Sequence, residues 1–386
     1  LKACKIGPSD EVITVSHTFV STPEAIVNVG ATPIFVDIDA LYHINLDQIE
    51  KSINSRTKAI LFVDLYGQTP DIDKLKKIAS KNNLYLIEDA AQSFGYKYKD
   101  KMVGSLVDIT CVSFNPVKNL GAIGDAGCVL GKKDLVDKAR MYRDHGRREK
   151  FNYEVIGYNA RIDNIQALVV QSKLPYLQTW LQKKNEIAKY YTTELRNYYM
   201  TPHEASYGKH SYYVYVLQVP IMTDRDEILS KLNDKGIQTN IHYRNPAHMT
   251  PAFSEYKKHL ARTEYVSEKI FSIPCYHNLK DEQIELIVSA TQGQKEVKIN
   301  KNTFATSVRN SRPSRPDSKP ADVIVSNNLS NISLPSVDSL APTIGTSFND
   351  GFGAGGFGTG IGGGFRVPTA MGGRCGASDR INRLVK

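Results

Sequence analysis

Along the first three hundred positions the chain alternates between short apolar runs and longer stretches whose apolar residues recur at helical spacing. The runs EVITV, ATPIFVDI, AILFVDLYG, LYLIED and ITCVSF are rich in β-branched residues and bounded by turn formers, so they read as strands. Between them, HTFVSTPEAIVNVG reads as a strand end and a short helix, with Thr22 as N-cap and Pro23 at the first helical position. After Asn45, residues Leu46, Ile49 and Ile53 fall on one helical face, and Asp71 is placed to cap DIDKLKKIASKNN. Strands and helices in strict alternation imply right-handed crossovers and a mostly parallel sheet covered on both faces, an α/β fold. Such sheets hold ligands beyond the carboxyl ends of their strands, which is where Phe19, Asp89 and Lys118 fall.

Farther on, CVLG reads as a strand and KDLVDKARMYRDHG as a helix closed by Gly146. A long helical pattern from about Ala160 to Asn197 contains Pro175, which breaks or kinks it. From about Met200 a second alternation begins: SYYVYVLQV, DRDEILSKLNDKG, IQTNIHY, EYVSEKIF and DEQIELIVSA predict a smaller α/β domain. Residues 1–199 are thus expected to form a large domain and 200–292 a small one. Residues 293–386, first rich in Ser, Asn and Pro and then in Gly, bury too little apolar surface to offset ordering and read as a disordered tail.

Charge alters this picture less than its total suggests. The net charge is +9, but from Gly293 onward there are 12 Lys and Arg against 6 Asp and Glu, which leaves only +3 for the body. A nucleic-acid partner is therefore not expected for the body. The five cysteines are scattered with neither zinc-ligand nor redox spacing, so no metal is expected and reduced thiols point to the cytoplasm. No apolar run is long enough to span a bilayer, and no signal peptide is expected.

The candidate chemistry lies between Leu86 and Gly127. LIED carries Glu88 and Asp89 to the end of one strand, and ITCVSF carries Ser113 to the end of another, with Lys118 in a Gly-rich turn beyond. An amine condenses with an aldehyde only when it is deprotonated, so such a lysine needs a desolvated or positively charged setting. A carboxylate opposite it can keep a pyridine nitrogen protonated, and the ring then withdraws electrons from a substrate carbon.

EDAAQSFG, then VGSLVDITCVSFNPVKNLGAIGDAG, then HG and GYNARIDNIQALVVQSKL, in this order, resemble the DegT/DnrJ/EryC1 family of pyridoxal-phosphate sugar aminotransferases, fold type I proteins. The resemblance runs from about Gly7 to Val288. It implies pyridoxal phosphate as cofactor and Lys118 as its covalent partner; relatives with histidine there act as dehydratases, so lysine implies transamination. It further implies Asp89 on the ring nitrogen, Gln92 on the ring hydroxyl, Phe19 stacked on the ring and Ser113 on the phosphate. Asn159, a helix N-cap on its own reading, is implied to reach the cofactor phosphate of a neighbouring subunit, with Arg161 in support. That makes the protein a homodimer with shared active sites.

The implied reaction moves an amino group, with glutamate as donor, to a nucleotide-linked keto sugar in the making of amino sugars for surface polysaccharide. His242 and Tyr243 in GIQTNIHYRNP stand on the substrate side, although Arg244 and Asn245 replace the proline that relatives place directly after HY. Relatives also carry, upstream of the GPSDEVI turn, a helix start whose amides hold the phosphate. This chain opens after that point, so the expectation is a cradle lacking part of its seat. The second reading of the sequence is a noncatalytic chain whose basic tail serves binding.

Overall fold

The computed structural model describes residues 1–293. The first four apolar runs become β1 (Glu11–Val15), β2 (Thr32–Val36), β3 (Thr57–Val63) and β4 (Tyr85–Asp89), parallel and ordered β2-β1-β3-β4. A small hairpin follows, β5 (Lys97–Tyr98) with β6 (Lys101–Met102). Strand β7 (Ile109–Ser113) then joins β4 in parallel, and β8 (Gly127–Gly131) closes that edge antiparallel to β7.

Helices α1 (Ser21–Asn28), α2 (Leu46–Ser52) and α3 (Ile72–Lys81) make the crossovers. Neighbouring residues of one strand fall in different cores: Ile13, Ile60, Phe62 and Leu86 pack in one cluster, and Val12, Ala59, Leu61 and Ile87 in another. The sheet is therefore buried on both sides, as continuous apolar runs require.

Asn45 and Asp71 cap α2 and α3 as expected: Asn45 accepts from the amides of Asp47 and Gln48, and Asp71 from that of Lys74. Thr22 does not cap α1. The helix starts two residues earlier, at Ser21 with Val20 as N-cap, and the buried Thr22 hydroxyl donates to Asp89 instead. A hydrogen bond to a carboxylate outweighs one to a neutral backbone group, which is why the local cap loses.

Helix α4 (Lys133–Arg143) ends in a two-residue cap: His145 is left-handed at φ 58°, and the Gly146 amide returns to the Met141 carbonyl at 2.9 Å. A small hairpin, β9 (Arg147–Glu149) and β10 (Asn152–Tyr153), leads to α5 (Asn164–Lys173). Pro175 sits in a 3-10 turn, Leu174–Tyr176, that separates α5 from α6 (Leu177–Leu195).

A further core gathers around β11 (Tyr215–Gln218) and its antiparallel partner β12 (Ile270–Ile273), with α7 (Arg225–Asp234) and α9 (Asp281–Thr291), whereas α8 (Ala261–Lys269) turns Val266 into the first cluster. Ile187, Tyr191 and Leu195 of α6 pack into the further core with Tyr215, Phe271 and Ile284.

IQTNIHY, expected as a strand, makes only one bridge, Asn240 with Ser272. Asn240 turns its side chain onto the next amide, accepting from Ile241 at 2.7 Å, and the chain leaves the sheet toward the end of β3. The predicted tail lies, apart from Gly293, outside the described residues.

Candidate active site

Lys118 stands on the excursion between β7 and β8. The amide of Phe114 donates to Ala126 and that of Ala122 to Phe114, both at 2.8 Å, closing the base of the loop. Asn115 organises the interior. Its amide donates to Ser113 Oγ (3.2 Å), its Oδ1 accepts from Val117 (3.2 Å) and its Nδ2 donates to Asp125 (2.8 Å). Its carbonyl accepts the Lys118 amide at 2.9 Å. Gly121 is needed for close approach, because a Cβ there would lie 2.4 Å from the Pro116 carbonyl oxygen. The turn that presents the lysine is thus fixed by its own sequence.

Asp89 ends β4 next door, opposite Cys111 in the pairing with β7. Its carboxylate accepts from Thr22 Oγ1 at 2.6 Å and from the Ala91 amide at 3.1 Å. Burial pushes the Lys118 amine below the ordinary lysine range, and the Asp89 charge partly opposes that shift. The Lys118 Nζ lies 4.5 Å from the centroid of the Tyr213 ring and 3.5 Å from its phenol oxygen.

Around this pair the polar groups interlock. Gln92 is buried; its Oε1 accepts from the Tyr66 amide at 2.7 Å and its Nε2 donates to the Tyr243 phenol at 3.0 Å. Tyr66 donates its phenol proton to the His242 carbonyl in a close contact. Since that proton is committed, His17 Nε2, 2.8 Å from the same oxygen, carries a hydrogen and donates it. Burial lowers the His17 pKa to about 3, so the ring is neutral. His242 is likewise pushed down, by burial and then by the Lys118 cation, and its Nδ1 meets Ser272 Oγ at 3.0 Å. Phe19 is 55% exposed, with its ring 6.2 Å from that of Tyr243.

The structure thus brings Phe19, Asp89, Gln92, Ser113 and Lys118 to the carboxyl ends of β1, β4 and β7. Asn159 lies elsewhere, exposed on the segment before α5 and bridged through its backbone to Asp144. It does not cap α5, whose N-cap is Asp163. Arg161 pairs with Asp144, and Arg244 with both oxygens of Asp226 at 3.1 Å.

Tyr66 and Tyr213 were not singled out from sequence, and Thr22 only as a helix cap; in the structure Tyr212 and Tyr215 are buried while Tyr213 is half-buried.

An amine made weakly basic by burial, a neighbouring carboxylate and aromatic rings at the carboxyl ends of a parallel sheet define a site for an aldehyde-bearing cofactor with a basic ring nitrogen. Residues 1–292 match the profile of the DegT/DnrJ/EryC1/StrS aminotransferase family, and the chain belongs to that family.

It is 37% identical over 293 residues to a UDP-N-acetyl-3-dehydro-alpha-D-glucosamine 3-aminotransferase of Acidithiobacillus ferrooxidans, covering 75% of this chain and 79% of the relative. It is 34% identical over 300 residues to the dTDP-3-amino-3,4,6-trideoxy-alpha-D-glucose transaminase of Streptomyces venezuelae, covering 76% and 78%. Among solved structures, NtdA from Bacillus subtilis with bound cofactor PMP aligns with a TM-score of 0.71 at 31% identity, covering 76% of this chain and 69% of that one.

The protein is accordingly a fold type I aminotransferase that uses pyridoxal phosphate. The residues present fit that group: an amine whose burial disfavours its charge, a carboxylate whose field it feels, and the rings of Phe19 and Tyr213 nearby. Among the described residues no helix is long and apolar enough to cross a membrane.

Proposed function

We propose that this enzyme transfers an amino group from glutamate to the keto group of a UDP- or dTDP-linked sugar, making an amino sugar for surface polysaccharide. The sugar and nucleotide class follows the relatives' activities; the observation that carries the chemistry is the half-buried amine of Lys118, its charge disfavoured by burial, near the Asp89 carboxylate. When bound, pyridoxal phosphate supplies an aldehyde that takes up the amino group and a protonated ring that withdraws electrons. Lys118, once freed, would move the proton at its Nζ from the donor carbon to the cofactor carbon, and in the second half from the cofactor carbon to the sugar carbon.

Asp89, held by Thr22 and Ala91, would serve the ring nitrogen; Gln92 would serve the ring hydroxyl, Phe19 the ring face and Ser113 the phosphate. Residues 1–199 hold the cofactor and 200–292 line the substrate side through His242 and Tyr243. The free thiols of Cys4, Cys111, Cys128 and Cys275 support a cytoplasmic setting. The test is to give the pyridoxal-phosphate-loaded enzyme glutamate, measure 2-oxoglutarate, and then screen UDP- and dTDP-linked keto sugars for the mass of an aminated product. No 2-oxoglutarate and no product with any keto sugar would sink the assignment.

The working form is proposed to be a homodimer in which Asn159 of each copy reaches the other's cofactor phosphate. Supporting this, Phe151, Tyr153, Ile156, Tyr158, Ile165 and Leu168 all stand more than half exposed around Asn159. The double variant Ile156→Asp, Leu168→Asp is expected to sediment as a monomer and lose at least about 10-fold in activity. A fully active monomer would refute the shared site.

A further inference from the structure

Lys184, on α6, is 7% exposed, and among the described residues no carboxylate pairs with it. A buried ammonium in that position is costly, and an apolar side chain of the same length would avoid the cost. Its Nζ donates to Asn119 Oδ1 at 2.9 Å and to the Tyr213 carbonyl at 3.4 Å. Asn119 follows the reacting lysine in the chain, and its Nδ2 donates to Ser211 Oγ (3.2 Å) and to the Gln92 carbonyl (3.4 Å). The Tyr213 amide donates to the Tyr66 carbonyl at 2.9 Å. One buried amine therefore ties together the lysine turn and the segment that carries Tyr213.

We propose that Tyr213 is a further active-site residue, whose phenol and ring face receive the Lys118 amine whenever it is free, and that Lys184 is the positioning residue that fixes Tyr213 and Asn119 around it. The inference rests on the reading of Lys118 given above. Tyr213 presents a lone pair at 3.5 Å and a π-face at 4.5 Å to the same nitrogen. Burial raises the Tyr213 pKa, so the phenol stays neutral and accepts from the amine. The titratable groups that feel the Lys184 charge are Cys275, His210 and His277, and burial favours the neutral form of each. None of them takes the place of a counter-ion.

The experiment is peptide-resolved labelling of Lys118 in the cofactor-free full chain with a small acylating reagent, from about pH 6 to about pH 10. The midpoint gives the proton affinity of the amine, and the limiting rate gives its accessibility. Tyr213→Phe keeps the ring and removes the lone pair that favours the ammonium. The midpoint is expected to fall by about half a unit to one unit, a threefold to tenfold loss of proton affinity.

In a Lys184→Met background the same substitution should shift the midpoint by less than about a third as much, and Lys184→Arg should restore the full shift. A Tyr213→Phe chain with an unchanged midpoint overturns the role of Tyr213, and a shift of undiminished size in Lys184→Met overturns that of Lys184. If Lys184→Met does not fold, the Lys184→Arg background decides: an undiminished shift there supports the positioning role and its loss overturns it. Covalent capture of pyridoxal phosphate on a different lysine would instead overturn the reading of Lys118, and would leave the labelling result standing.

Discussion

Lys118→Ala is expected to yield a folded protein that no longer forms a reducible bond to pyridoxal phosphate and transaminates at least about 10³-fold more slowly. The fold should survive, because the turn is held by Asn115, by its backbone bonds and by the close approach at Gly121, none of which uses the lysine side chain. Lost with the side chain are the covalent partner of the cofactor and the proton carrier, two roles for one amine. Borohydride reduction followed by peptide mass spectrometry checks the first, and single-turnover kinetics with glutamate the second. In the parent enzyme the rate of cofactor capture should rise with pH through a midpoint below that of an ordinary lysine, as burial of Lys118 dictates. Cofactor still covalently attached in Lys118→Ala would show that another amine does the work.

Asp64→Asn is expected to stabilise the protein at neutral and alkaline pH by about 1–3 kcal/mol. Asp64, just past the end of β3, and Glu88, on neighbouring β4, are buried close together, and two carboxyls so placed share a proton because they cannot both ionise. Ser93 donates to one oxygen of Asp64 at 2.5 Å and Thr110 to one of Glu88 at 2.6 Å. The other oxygens, Asp64 Oδ1 and Glu88 Oε1, have no donor, and the proton between the carboxyls serves them.

Burial, followed by the Glu88 charge, raises the Asp64 pKa well above its ordinary value, so Asp64 carries the proton. Its folded form holds the proton more tightly than its unfolded form. Stability is therefore full below the unfolded carboxylate range and is lost as pH rises toward the folded pKa. Asparagine keeps an acceptor for Ser93, supplies a permanent donor to Glu88 and removes that loss. Urea unfolding at several pH values should show the variant's advantage growing with pH. An equal change at all pH values would mean that Asp64 is ionised in the native state.

The sheet was legible because its strands are apolar without interruption, a signal that depends on burial alone. So were the Asn45 and Asp71 caps, where short polar side chains meet nearby amides with no competitor. Thr22 was misread because its hydroxyl is taken by a carboxylate 67 residues away in sequence. The strand expected in IQTNIHY failed for a related reason, since His242 is drawn to Tyr66 across 176 positions.

In the site, Asp89 and Lys118 could be read because each follows an apolar strand at its carboxyl end. Tyr66, Tyr213 and Lys184 could not, because their partners come from distant parts of the chain and no local spacing encodes them. Glu88 carries no signal of its own in the sequence. Its burial at the proton-sharing contact with Asp64 is invisible without the neighbouring strand.

Tyr66, at the end of β3, touches four groups at once: its amide meets Gln92, its phenol meets His17 and the His242 carbonyl, and its own carbonyl meets the Tyr213 amide. Pulling the His242 segment away would break the Tyr66 phenol's bond to the His242 carbonyl and, through Tyr243, the bond that Gln92 donates to it. The floor and the substrate wall should therefore exchange amide hydrogens as a single cooperative unit. The entropy of arranging them is met once, when the chain folds, and not again at every turnover.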